Sequence, residues 1–367
     1  MKLSICLVSL ILLFAAGCAE QSSSKTSSKS TSNDPMQWLE FEGSKGAGKG
    51  KHVVLIAGDE EYRSEETMPQ LAKILSSHHG FKCTVLFSQD PEKPGIVDPN
   101  HQTHIPNTQV LNEADLMVIG TRFRNLADDQ MKHIEDFILA GKPVVGIRTA
   151  THAFTVPEGS AYEHFSFNYK GAKTEWKNGF GQLVLGTTWI SHHGWHKQES
   201  TRGIVVGSHE ISNGIGDGDI WGPTDVYGAT WPVDNDCVPV VMGQVLAGME
   251  KDSPAIGPGS YEKFPKYGAH EGFHKNDPMM PIAWTKSYQV PGGKKGRAFC
   301  TTMGASNELP VEGTSRMIVN GIFWSLGIPV PAEGTKIDIV GQYEPSMFGF
   351  LNDPYFDEHI INVSDFE

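Results

Sequence analysis

Alternation of short apolar runs with amphipathic helical stretches between Lys51 and Arg148 restricts this chain more than any other feature. His52–Ala57 (HVVLIA), closing on Gly58, reads as a first strand, Phe81–Phe87 as a second, Asp115–Gly120 as a third and Pro143–Ile147 as a fourth. Between the first two, a helix starts at Ser64 with Glu65 and Glu66 in its first turn. Met68, Leu71 and Leu75 form its apolar face and Gly80 stops it. Before the fourth strand, Asn125 reads as a cap and Ile134, Phe137 and Ile138 as a buried stripe that ends at Gly141. Strands and helices in this alternation predict an α/β domain with a mostly parallel sheet, right-handed crossovers and helices on both faces.

The fourth strand passes at Gly146 into Ile147-Arg148-Thr149-Ala150-Thr151-His152, a turn at the carboxyl edge of the sheet, where open α/β folds place ligands. At the amino end of a following helix, Arg148, with Thr149 beside it, would clamp a carboxylate, a phosphate or vicinal hydroxyls. The competing reading is a buried ion pair with Asp59, Glu60 or Glu61. His152 would face the same cleft or pack under Phe154. Arg63, Arg122 and Arg124 stand at other strand ends and add positive potential there, or neutralise nearby acids.

The second half carries further strand-like runs at Gln182–Gly186, Ile204–Val206, Val238–Met242, Pro281–Thr285 and Arg297–Thr302. A last helix points Met317, Ile318, Ile322 and Leu326 inward and stops at Gly327. We therefore expect one large domain over residues 51–328 and an acidic extension over 329–367 with a strand or two wrapping the surface. A net charge of -13 argues against nucleic acid or an anionic membrane surface as partner and leaves a small polar molecule.

Residues 1–18 read as a signal segment: Lys2, an apolar stretch Leu7–Phe14, then Ala15-Ala16-Gly17-Cys18. This resembles a bacterial lipobox, with Ala15 where leucine is usual, and implies lipidation of Cys18, export, and a lipid-anchored place at the cell envelope, on the periplasmic side or outer membrane. Residues 19–50, rich in Ser, Thr, Lys and Gly, read as a disordered tether. Gly43-Ser44-Lys45-Gly46-Ala47-Gly48-Lys49 imitates a phosphate loop, but Gly50 replaces the hydroxyl residue and the segment precedes a strand instead of following one. Cys83, Cys237 and Cys300 form no CxxC pair, so a cysteine-bound metal is not expected.

The order of elements, the turn Gly146–Phe154, the later segments Pro281-Ile282-Ala283-Trp284-Thr285 and Gly296–Gly304, and the closing Asn320-Gly321-Ile322-Phe323-Trp324-Ser325-Leu326-Gly327 resemble the trehalose-utilisation (ThuA-like) family. The resemblance spans about residues 52–328. It implies a flavodoxin-like three-layer sandwich of the class I glutamine amidotransferase-like kind and a link to carbohydrate metabolism. Amidotransferases present a cysteine nucleophile on this turn, and here the matching residue is Arg148. A guanidinium stays protonated and cannot attack a carbonyl, so glutaminase activity is not expected. Many ThuA-like sequences carry histidine at that position and another where this chain has Ala305.

Ser191-His192-His193-Gly194-Trp195-His196 resembles the segment where the family places a histidine, and Asp225-Val226-Tyr227 its Asp-Glu-x-Tyr stretch. From this we expect His193, or alternatively His152, as a base, Asp225 as the group that orients His193, and Tyr227 beside Arg148 and Thr149 in the substrate site. The plainer reading is that these histidines cap loops. No cofactor is expected. Zinc is conceivable on His192, His193 and His196 with Asp225, though the adjacent His192 and His193 on an extended chain would face opposite sides. The expected activity is non-covalent proton transfer (hydrolysis, elimination or isomerisation) on an oxidised sugar. The alternative is a carbohydrate-binding lipoprotein without turnover, and the oligomeric state is left open.

Overall fold

The computed structural model describes residues 34–229, 236–257 and 274–367. In chain order these form β1 (Trp38–Phe41), β2 (His52–Gly58), α1 (Ser64–His79), β3 (Lys82–Phe87), β4 (Leu116–Thr121), α2 (Asp128–Leu139), β5 (Val144–Ile147), β6 (Ser191–His192), β7 (Ser200–Val205) and β8 (Trp221–Gly222). β9 (Tyr227–Gly228), β10 (Cys237–Leu246), β11 (Met280–Gln289), β12 (Lys295–Thr301), α3 (Glu312–Ser325) and α4 (Asp353–Glu358) follow.

One ten-stranded sheet runs in the order β1-β3-β2-β4-β5-β12-β11-β10-β7-β8, and β6 pairs with β9 apart from it. β3, β2, β4, β5 and β12 are parallel, with Val53 opposite both Cys83 and Leu116, and Gly146 opposite Cys300. The strands beyond β12 and the edge strand β1 are antiparallel. Every residue of β2 is buried, and the alternation of side chains explains why. Val53, Leu55 and Ala57 join the apolar cluster under α1 and α3, while Val54 and Ile56 join the one under α2. The expected three-layer α/β sandwich is therefore present, with a mixed sheet whose parallel part carries the site.

Local chemistry ties each helix to the strand before it. Ser64 Oγ accepts from Gly58 N at 3.1 Å and Asp59 N at 3.0 Å, so α1 begins where β2 ends. Gly80 closes α1 at φ 77°, the left-handed conformation in which glycine carries no Cβ penalty. The second helix starts two residues later than its apparent cap suggests. Asn125 N donates to Gln102 O and Leu126 is buried, so Ala127 becomes the cap and Asp128 and Asp129 enter the first turn.

Four expectations are corrected. Gln182–Gly186 is no strand: Gly181–Leu185 forms a π-turn that packs on β5, where a Cβ on Gly146 would stand 2.7 Å from Leu185 Cδ1. Glycine in that strand therefore makes room for this turn. The segment after β5 is one 3-10 turn, Arg148–His152, not the start of a helix. Within the region read as tether, Trp38–Phe41 forms the edge strand β1. In the C-terminal extension the described residues form α4, a 3-10 turn at Val363–Phe366 and irregular chain instead of strands. The signal segment and residues 19–33 of the tether lie outside the described residues.

Candidate functional site

The carboxyl ends of β2, β4 and β5 converge on one small, partly open pocket. Glu61 and Tyr62 follow β2, Arg122 and Phe123 follow β4, and Arg148, Thr149 and His152 follow β5. Trp189, His192 and Tyr227 complete the wall from the second half of the chain. Arg148 takes the sharp turn itself, at φ 48°, with its N–H donating to Met303 O at 3.1 Å. A left-handed non-glycine residue costs about 1–2 kcal/mol and persists only where the surroundings impose it.

Those surroundings are polar and nearly closed. The Arg148 side chain is 3% exposed; Nη1 donates to Thr302 O at 2.6 Å and Asp225 O at 3.2 Å, and Nη2 to Asp225 Oδ1 at 3.4 Å. Its guanidinium lies 4.0 Å from the centre of the Tyr62 ring. Burial opposes its charge, and Asp225 helps to outweigh that opposition. Tyr227 Oη donates to Arg148 O at 2.9 Å and also meets Thr151 Oγ1. Thr149 Oγ1 donates to Asp59, whose other oxygen accepts from Glu61 N and Tyr62 N and so shapes the loop after β2.

Asp225 is the electrostatic centre. It is fully buried, and its oxygens meet His192 Nδ1 at 2.9 Å and His196 Nδ1 at 3.0 Å. Burial would raise its pKa, but these two hydrogen bonds and the Arg148 charge hold it well below the usual carboxylate range. His196 Nε2 lies 3.2 Å from Glu61 Oε1, so both ring nitrogens face carboxylates. Burial works against protonation there, yet Asp225 and Glu61 raise its pKa to about 9. His196 is thus an imidazolium at neutral pH.

His152 is the opposite case. Burial, then Arg122 and Arg148, push it well below its ordinary value, so it is a neutral ring among Phe123, Trp189 and Tyr227. Arg122 and Arg124 share the two oxygens of Glu60. Arg124 is fully buried, with Nη1 bonded to His101 O and Pro99 O, which makes it structural, whereas Arg122 keeps 19% of its side chain exposed in the pocket.

The residues singled out from sequence mostly meet here. Arg148, Thr149, His152 and Tyr227 line the pocket and Asp225 lies directly behind it. The expected His193–Asp225 pair is corrected. His193 Nε2 bonds Lys275 O at 2.8 Å, while its neighbour His192, the last residue of β6, takes the carboxylate, because successive residues of an extended chain face opposite ways. The ion-pair partner of Arg148 is Asp225, not the acids of the Asp59–Glu61 loop. Sequence reasoning missed Glu61 and Tyr62 as site residues, although their position just past β2 was the available signal.

His192, His196 and Asp225 place one ligand atom each within 4.8 Å of one another, a donor set that suits zinc. Two features oppose a cation there: Arg148 shares the same carboxylate, and His196 already sits charged between two acids.

Fold and site together define a three-layer α/β domain whose turn after β5 sets Arg148 against the buried Asp225 carboxylate. The chain belongs to the ThuA family, described as trehalose utilisation, whose model matches residues 52–325. Similar solved structures include a ThuA-like protein from Bacteroides uniformis ATCC 8492, at 15% identity over 77% of this chain and 93% of that one, TM-score 0.41. Another, from Parabacteroides merdae ATCC 43184, is 12% identical over 84% of this chain and 99% of that one, TM-score 0.44. No curated protein matches the chain significantly.

Proposed function

We propose that this ThuA-family protein moves a proton on an oxidised sugar, next to its keto group, without forming a covalent adduct. The observation that carries this reading is the 2.9 Å bond from His192 Nδ1 to the buried Asp225 carboxylate, in a ring that also lines the pocket. A carboxylate on one ring nitrogen fixes the tautomer and makes the other nitrogen the basic one. His192 therefore replaces His193 as the base. Arg148, which lines the pocket and holds Asp225 from below, supplies positive charge for the oxygen that becomes negative. Trp189 and Phe123 offer apolar faces to a sugar ring.

Keto-derivatives of glucose and of trehalose, incubated in deuterated buffer, test this. The wild type should exchange the hydrogen beside the ketone, and His192→Ala should lose about 100-fold or more of that rate. Undiminished exchange in His192→Ala would sink the proposal, and saturable binding without exchange would favour the binding-only lipoprotein. The envelope location rests on Cys18: Cys18→Ser should move the protein from the membrane fraction to the soluble one, and an unchanged distribution would count against a lipid anchor.

A further inference from the structure

The family model stops at residue 325, yet a segment beyond it packs against residues that line the pocket. Residues 343–350 run across the ends of β2 and the turn after β12, and several hydrogen bonds fasten them. Tyr343 Oη donates to Ser306 O at 2.8 Å and Ser306 Oγ to Ser346 O at 2.9 Å. Ser346 N donates to Glu66 Oε2 at 2.7 Å, and Gly349 N to Glu61 O at 2.7 Å. Phe348 is 2% exposed, stacked on Tyr62 with ring centres 5.4 Å apart and edge-on to His196 at 5.4 Å. Two residues on, Phe350 is 57% exposed, although the chain on either side of it is pinned. Its ring lies 4.9 Å from the Arg122 guanidinium, whose other aromatic neighbour is Phe123 at 4.4 Å.

We propose that Phe350 and Arg122 form an outer subsite for a second sugar ring, that of a glycoside whose oxidised ring occupies the pocket. This rests on the functional reading above. A pinned, exposed aromatic beside a pocket-lining cation fits a ligand with an apolar C–H face and a hydroxyl edge. Arg122 Nη1 goes to Glu60 and Nε lies 3.7 Å from Glu61, while Nη2 makes no hydrogen bond to a described residue and remains for a hydroxyl. Glu60 and Glu61 beside it disfavour a phosphorylated ligand, because a phosphate would meet two carboxylates at Arg122. Phe350, half of the subsite, belongs to the C-terminal extension beyond the family model, and Arg122 to the domain within it.

Calorimetry with two probes tests it: trehalose oxidised to a ketone on one ring, and the corresponding ketone of glucose. Phe350→Ala should weaken the two-ring probe about tenfold and the one-ring probe less than twofold, with Phe350→Trp restoring the former. Equal losses for both probes, or no loss for either, would overturn the subsite while leaving exchange by His192 intact. Wild-type protein that binds neither ketone would remove the functional reading and the subsite with it. Unchanged unfolding midpoints in the two variants separate the effect from a damaged strap.

Discussion

Arg148 and Asp225 form an ion pair at 3.4 Å, with 3% and 0% of their side chains exposed. Two charges so deeply buried are tolerable only because each is hydrogen-bonded on several sides: the arginine by Thr302 O and Asp225 O, the aspartate by His192 and His196. At the turn after β5 this chain sets a cation against the carboxylate that bonds His192 and His196.

That arrangement makes Asp225 a stability residue as well as a site residue. Asp225→Asn leaves the guanidinium buried without its counter-charge and should cost about 3–5 kcal/mol in urea unfolding. The double variant Arg148→Met/Asp225→Asn should lose less than the sum of the single losses, since the pair is coupled. Additive losses would show that the two charges do not depend on each other.

Stability should fall toward high pH. His196 is raised to about 9 in the folded state, burial being outweighed by Asp225 and Glu61. Its contribution is complete below the unfolded value near 6.5 and is lost as pH rises through about 9. On the acid side, His152 is depressed by burial and by Arg122 and Arg148, so stability also declines as pH falls below about 6.5, where the unfolded ring takes a proton first. Thermal unfolding between pH 5 and 10 should show a maximum near neutrality, and His196→Gln should flatten the alkaline limb. An alkaline limb unchanged in that variant would count against a charged His196.

Zinc provides a third check. If Arg148 supplies the positive charge at Asp225, its removal frees the carboxylate for a cation. Calorimetry on chelator-treated protein should find tighter zinc binding in Arg148→Ala than in the wild type, and loss of that gain on adding His192→Ala. Equal zinc affinity with and without the arginine would contradict the competition.

Much of the parallel half was legible because two periods are clean there. Residues 53–58 are apolar throughout, as a strand covered on both faces must be, and α1 and α2 show apolar spacing with a glycine just beyond each. Leu183-Val184-Leu185 was misread because a short apolar run fits a strand or a turn equally well, and only its packing against Gly146 decides. The choice between His192 and His193 is a matter of parity. It depends on the pairing of β6 with β9, where His192 faces Tyr227 across 35 residues of chain. Phe348 and Phe350 lie in irregular chain, whose destination no local pattern encodes.

Strand β1 has a consequence for the protein at high concentration. A sheet this broad would offer long rows of unsatisfied amides at its margins, an invitation to neighbouring copies to add strands. One margin ends in the four residues of Trp38–Phe41 and the other in the two of Trp221–Gly222, both antiparallel additions to the sheet. So brief a template at either side gives a second molecule too little to zip onto, which keeps many copies side by side from fusing into fibrils.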